Sequence, residues 1–108
     1  MKKIKIEDKI FIAGANGMAG KAIKKSFLNH GYNYLLTPSR KELNLFDLKA
    51  VNKWFINNQP DIVVIAAAKV GGILANSSKP TEFLLENLKI QNNLIETSWK
   101  CGVKRLIF

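Results

Sequence analysis

The sequence predicts an α/β protein, the N-terminal half of a doubly wound parallel sheet whose strands follow the order 3-2-1-4. Apolar strands alternate along the chain with segments of helical periodicity, which indicates βαβ units. The strands are continuously apolar, as is typical of a parallel sheet that helices cover on both faces. The length of 108 residues allows one domain, since domains usually need about 100 to 150 residues.

Each predicted element ends at a turn or cap signal. Strands rich in β-branched and aromatic residues are expected at residues 9–13, 34–37, 61–67 and 104–108. Helices are expected at residues 18–30, from the cap Asp47 to the stop at residues 57–60, and at residues 80–100. The chain would then stop within or just after the fourth strand, so the sequence predicts a fold truncated after that strand.

The composition indicates which classes of binding partner and which cellular compartment to expect. Seventeen Lys and Arg against eight Asp and Glu give a net charge of +9, which favours nucleic acid, an anionic membrane or phosphorylated small molecules. Most of these cations are Lys, so codon bias can account for part of the excess. Neither a zinc-finger spacing nor an aromatic RNA-binding motif accompanies the charge. One cysteine, Cys101, excludes an intrachain disulfide, and no signal peptide, metal cluster or membrane-length apolar run is found. A cytoplasmic protein without a nucleic-acid or membrane partner is expected.

A GxxGxxG motif lies between the first strand and the first helix. It consists of Gly14, Ala15, Asn16, Gly17, Met18, Ala19 and Gly20. In this context the first glycine allows a tight turn, the second lets backbone approach a pyrophosphate, and the third lets the helix pack closely. The helix N-terminus then faces the phosphates. The motif predicts a Rossmann-type dinucleotide site, and the alternative is a glycine-rich turn without a ligand.

The residues at the end of the second predicted strand indicate which dinucleotide this site would bind. An NAD-binding domain has an acid there for the ribose 2′-hydroxyl, whereas this chain has Ser39, Arg40 and Lys41. A guanidinium can hold a 2′-phosphate in a bidentate pair, so NADP is favoured over NAD. The alternative for both cations is a solvated basic loop.

Two further segments follow strands, where open α/β sheets bind ligands. Asn44 and Leu45 belong to a segment that could form a wall for the adenine, although its last residue, Asp47, is at least as well explained as a helix N-cap. Small residues at the carboxyl end of the third strand, Ala66, Ala67 and Ala68, would let backbone pass close to a cofactor. Lys69 beside them could meet a phosphate or be an exposed cation.

Three segments together resemble the N-terminal part of the GDP-L-fucose synthase family of extended short-chain dehydrogenase/reductases: GANGMAG at 14–20, SRKELNLFD at 39–47 and AAAKVGGI at 66–73. Members convert GDP-4-keto-6-deoxy-D-mannose to GDP-L-fucose with NADPH. The resemblance implies that residues 14–20 bind the NADP pyrophosphate, that Arg40 faces the 2′-phosphate, and that Asn44 and Leu45 lie near the adenine. It also places residues 66–73 and Asn87 beside the cofactor. Members commonly have an Arg where this chain has Asn16, so one phosphate contact of the family is missing.

The resemblance also implies what residues 1–108 lack. In the family the catalytic Ser, the Tyr-x-x-x-Lys pair, the Cys and His of epimerisation and the GDP-sugar domain all come later in the chain. The expectation is therefore a partial NADP-binding domain without catalytic residues, inactive alone, whose GDP-sugar substrate and homodimeric assembly belong to the full-length enzyme. The alternatives are a free-standing NADP-binding or regulatory module and, supported only by the charge, a nucleic-acid binder.

Overall fold

The computed structural model describes residues 3–66 and 80–108. Its helices are α1 (Met18–Asn29), α2 (Leu48–Asn58) and α3 (Pro80–Lys100). Its strands are β1 (Ile10–Ala13), β2 (Leu35–Leu36), β3 (Ile62–Ile65) and β4 (Arg105–Ile107). Every predicted element is present and alternates as expected, so the α/β class is confirmed. Strand ends differ by one or two residues from the prediction, and Ala67, at the end of the third predicted strand, lies outside the described residues.

The sheet is parallel throughout, but its strand order is β2-β1-β3-β4, so the predicted order 3-2-1-4 is wrong. The observed order follows from how deeply each strand is buried. All four residues of β3 are buried, and such a strand needs a neighbour on each edge and a helix layer on each face. The two residues of β2 are only half-buried, which suits the edge of the sheet. Chain connectivity alone does not reveal this difference.

Two hydrophobic cores lie on opposite faces of the sheet, because successive residues of a strand point to opposite sides. Phe11 and Val63 are register partners and pack with Val51 and Phe55 of α2 and Leu94 of α3. On the other face, Ile10, Ile12, Ile62 and Val64 form the second core, with Ile23 and Phe27 of α1 packed against it. The helices therefore cover both faces, as the continuous apolar strands predict.

Helix boundaries follow local chemistry. Asp47 caps α2 through its side chain, which accepts hydrogen bonds from the backbone N–H groups of Lys49 and Ala50. Gly102 follows α3 at the predicted position with φ +67°. Among residues 3–66 and 80–108, no helix combines the length and hydropathy that a membrane span requires.

Candidate functional site

A cleft of about 810 Å³ opens at the carboxyl ends of β1, β2 and β3. Because β1 and β3 are neighbours, the turn after one lies beside the residue that follows the other, and the Ala66 N–H donates to the Ala13 carbonyl at 2.9 Å. The lining residues come from the turn after β1, the segment after β2, the end of β3 and one face of α3. They are Phe11, Ala13, Gly14, Ala15, Asn16, Gly17, Pro38, Ser39, Arg40, Lys41, Leu43, Asn44, Leu45, Phe46, Ala66, Glu86, Asn87 and Ile90.

The glycine turn begins at Gly14, whose φ of +84° lies in the left-handed region that side chains disfavour. The Gly17 N–H closes the turn on the Gly14 carbonyl at 3.1 Å, and Gly17 is the N-cap of α1. No side chain in the described part of the chain caps this helix. The first-turn N–H groups of α1 therefore have no side-chain acceptor, which is the arrangement that binds phosphate in other proteins.

Gly20 is buried directly behind this turn. A Cβ at Gly20 would overlap the Gly14 carbonyl oxygen and lie 2.7 Å from the Ala15 Cα. The third glycine of the motif therefore lets α1 pack against the backbone of the turn. Gly20 does not line the cleft, nor do Met18 and Ala19, whose side chains are exposed.

The segment after β2 is folded by its own hydrogen bonds. Ser39 and Glu42 bond reciprocally: the Ser39 N–H donates to Glu42 Oε1 at 3.1 Å, and the Glu42 N–H donates to Ser39 Oγ at 3.3 Å. This turn presents Arg40 and Lys41 at the cleft, and both are exposed. Within residues 3–66 and 80–108, neither cation has a carboxylate partner.

Asn44 and Leu45 lie in the next turn, and both line the cleft. Asn44 Oδ1 accepts a hydrogen bond from the Phe46 N–H at 3.1 Å, and Asn93 Nδ2 on α3 donates to the Leu45 carbonyl at 2.9 Å. Asp47 does not line the cleft, so of its two interpretations the N-cap is the one that the structure supports.

The structure brings nine of the predicted site residues to one cleft: Gly14, Ala15, Asn16, Gly17, Arg40, Asn44, Leu45, Ala66 and Asn87. Ala67 and Ala68, like Lys69, lie outside the described residues. Sequence reasoning missed Glu86 and Ile90. Ile90 lies three residues after Asn87 on α3, so helical spacing from Asn87 could have found it. Glu86 directly precedes Asn87 and does not share its face, so no such signal points to it.

Comparisons with known proteins identify a matching family and several similar chains. Residues 10–108 match the model of the NAD dependent epimerase/dehydratase family. The chain is 40% identical over 94% of its length to the GDP-L-fucose synthase of Escherichia coli (strain K12), of which it covers 32%.

Two solved structures are similar in fold and have NADP bound. The GDP-mannoheptose C4 reductase of Campylobacter jejuni has a TM-score of 0.82 and 34% identity, with 96% of this chain and 33% of that one covered. The GDP-L-fucose synthetase of Naegleria fowleri has a TM-score of 0.75 and 25% identity, with 96% of this chain and 31% of that one covered. The chain thus spans about a third of the length of these relatives. With nearly all of its residues matched to the family model, the chain belongs to the NAD dependent epimerase/dehydratase family.

Proposed function

We propose that this chain is the NADP-binding part of an NADPH-dependent epimerase-reductase that converts GDP-4-keto-6-deoxy-D-mannose to GDP-L-fucose. The observation that carries the proposal is that the glycine turn and the Arg40 segment open into the same cleft. That juxtaposition supplies a phosphate-binding backbone and a separate cation within one cavity, which suits a dinucleotide with an extra phosphate. The identity to GDP-L-fucose synthases supports the choice of substrate.

The residues present fit the pyrophosphate of NADP. Gly14 to Gly17 line the cleft with little side-chain bulk, and the packing of Gly20 brings the N-terminus of α1 up to the turn. N–H groups at a helix N-terminus, together with the helix dipole, stabilise negative charge. The family resemblance implies an Arg at the position of Asn16, which is exposed in this chain. We therefore propose that the backbone is the main phosphate partner here.

Arg40 is the residue proposed to bind the 2′-phosphate. Its guanidinium is exposed at the cleft and has no carboxylate partner among the described residues, so it can form a bidentate pair with a phosphate without breaking an ion pair. Asn44 and Leu45 would hold the adenine. Ala66, with Ala67 and Ala68 after it, and Asn87 would border the ribose and nicotinamide.

NADPH, when bound, supplies a hydride, and the proposed role of this chain is to orient the cofactor. Neither tyrosine, Tyr32 or Tyr34, has a Lys four residues after it, so the sequence offers no Tyr-x-x-x-Lys pair. We therefore expect residues 1–108 alone to bind NADPH without reducing or epimerising a GDP-sugar. Sugar binding and catalysis are assigned to the part of the relatives that this chain does not cover.

A homodimer is the proposed assembly of the full-length enzyme. Several large apolar side chains on α3 are exposed, namely Leu84, Leu85, Leu88 and Trp99. A helix with such a surface is normally covered by another chain or domain. Analytical ultracentrifugation of the full-length protein tests this proposal: a dimer that Leu85→Glu and Leu88→Glu together dissociate is expected, and a wild-type monomer would contradict it.

The cofactor assignment is tested by calorimetric titration of the 108-residue chain with NADPH and with NADH. We expect tighter binding of NADPH, and we expect Arg40→Ala to weaken NADPH about tenfold or more, because a charge-assisted hydrogen bond contributes about 1.5–3 kcal/mol. NADH affinity should stay nearly unchanged in the same variant.

Arg105→Ala is the matched control, because Arg105 is the only other arginine and lies exposed at the start of β4. It should leave both affinities unchanged. Equal weakening of NADPH and NADH in Arg40→Ala would refute the 2′-phosphate contact, and absence of binding to either nucleotide would refute the proposed function.

A further inference from the structure

One face of α3 connects the cleft to the rest of the fold. Glu86, Ile90, Asn93 and Thr97 are spaced by four, three and four residues, which places them along one side of the helix. Thr97 Oγ1 donates to Asn52 Oδ1 at 3.0 Å, Asn93 donates to the Leu45 carbonyl, and Ile90 packs against the core. Glu86 is the next residue of this face and lines the cleft.

Asn44 approaches the same cleft from the loop after β2. Its Oδ1 already accepts the Phe46 N–H, so the Nδ2 amide group is the part left to bind a ligand, and Nδ2 can only donate. The bond between Asn93 and the Leu45 carbonyl fixes this loop against α3. Asn44 and Glu86 are thereby held on two elements that are tied together beside one cavity.

Glu86 is the only acid among the described residues that line the cleft. A carboxylate repels phosphates, so the part of a dinucleotide that it can contact favourably is an uncharged group with hydrogens to donate. Apolar side chains on the same cleft, Leu43, Phe46 and Ile90, suit a flat aromatic ring. An adenine has both properties, since its N6 amino group donates and its N1 accepts.

We propose that Glu86 and Asn44 read the edge of the adenine, with the Glu86 carboxylate accepting from the N6 amino group and Asn44 Nδ2 donating to N1. This inference rests on the proposed NADP function. The arrangement selects adenine against a 6-oxopurine, in which N1 carries a hydrogen and position 6 is an acceptor. With such a base, Asn44 Nδ2 would face another donor at N1, and the Glu86 carboxylate would face another acceptor at position 6. Polar groups left unpaired in this way cost binding free energy.

The test compares NADPH with its hypoxanthine analogue, reduced nicotinamide hypoxanthine dinucleotide phosphate, by calorimetric titration of the 108-residue chain. The two nucleotides carry the same phosphates, so the ratio of their dissociation constants isolates the base. We expect the chain to bind NADPH about tenfold or more tightly than the analogue. Glu86→Gln, whose amide can donate as well as accept, should reduce the ratio to about threefold or less.

Asn44→Asp provides a second variant, because Asp keeps the acceptor for the Phe46 N–H and removes the donor. It should reduce the ratio in the same way, so the inference stays testable should Glu86→Gln fail to fold. Glu96→Gln is the control, since it removes the same charge from an exposed position of α3 outside the cleft. Its ratio should equal that of the wild type.

An unchanged ratio in both variants, with NADPH still bound, would overturn the inference and leave the proposed function intact. A wild-type ratio near one would also overturn it. If the wild type bound neither nucleotide, the proposed function and the inference would fail together.

Discussion

Charged residues lie at both ends of the sheet, but they differ in whether an oppositely charged or hydrogen-bonding group pairs with them. At the amino end, Asp8 Oδ2 accepts from Lys104 Nζ and from the Lys5 N–H, both at 2.7 Å, and Asp61 Oδ2 accepts from the Lys9 N–H at 2.8 Å. At the carboxyl end, Arg40 and Lys41 have no carboxylate partner within the described residues.

This difference separates structural polar groups from those available to a ligand. Both ends contain acids and bases, so residue type alone does not distinguish them. The hydrogen bond from Lys104, with that from the Lys5 backbone, lowers the pKa of Asp8 below its ordinary value of 3.8. The amino end therefore stabilises the fold through polar groups that satisfy one another. At the carboxyl end the two cations have no such partner among the described residues, which is why we propose the ligand site there.

The largest expected effect comes from the backbone that builds the carboxyl end. Gly20→Ala should destabilise the fold by about 3 kcal/mol, because the new Cβ would overlap the Gly14 carbonyl and move either the turn or α1. Urea unfolding measures the change. Lys21→Ala, at an exposed neighbouring position, is the control and should alter stability by less than about 0.5 kcal/mol. A Gly20→Ala protein as stable as the control would show that the close approach is unimportant.

At the amino end, Asp8→Asn should cost about 2 kcal/mol, because it leaves the Lys104 ammonium without a negatively charged partner where only 17% of that side chain is exposed. NADPH affinity of the folded protein should be unchanged. Glu96→Gln breaks a pair with Lys100 at 3.4 Å whose side chains are about half exposed, and it should cost less than about 0.5 kcal/mol. Equal losses in the two variants would mean that burial of the Asp8 pair contributes nothing.

The same pair predicts a dependence on pH. The folded-state pKa of Asp8 is lower than its ordinary value of 3.8, so its contribution is complete above 3.8 and is lost as the pH falls through the folded value. The stability difference between wild type and Asp8→Asn should accordingly shrink when urea midpoints are measured from pH 6 downwards past 3.8. A difference that stays constant over this range would assign the effect to packing.

A smaller effect is expected at Asp47, which lies between the cleft segment and α2. Asp47→Ala removes the acceptor for the Lys49 and Ala50 N–H groups and should cost about 1 kcal/mol. Asp47→Asn keeps a capping oxygen and should cost much less. Neither variant should change NADPH affinity, and a loss of affinity in both would show that Asp47 contacts the adenine after all.

Sequence reasoning was most successful where a local pattern determines the structure. The glycine motif, the Asp47 cap and the stop at Gly102 depend on neighbouring residues, and each has the predicted place in the fold. The sequence also predicted that Gly14, Arg40 and Asn44 lie at one cleft, because the carboxyl ends of parallel strands share one edge of a sheet.

Long-range arrangement was harder to predict. The strand order was wrong because connectivity allows β3 beside β2 at the edge of the sheet as well as beside β1, and only the complete burial of Ile62–Ile65 selects the central position. Glu86 was missed because an exposed acid on a helix has no local signature. Its significance arises from Asn93 and Leu45, which fix α3 against the loop that carries Asn44.

The central claim, that the carboxyl end of the sheet is the dinucleotide site, is tested most directly by NMR of the isotopically labelled chain titrated with NADPH. Amide resonances of Gly14, Gly17, Arg40, Asn44 and Ala66 should shift with one saturation curve, whereas those of Asp8, Asp61 and Lys104 should not move. Shifts confined to the amino end, or no saturable shift at the glycine turn, would contradict the account.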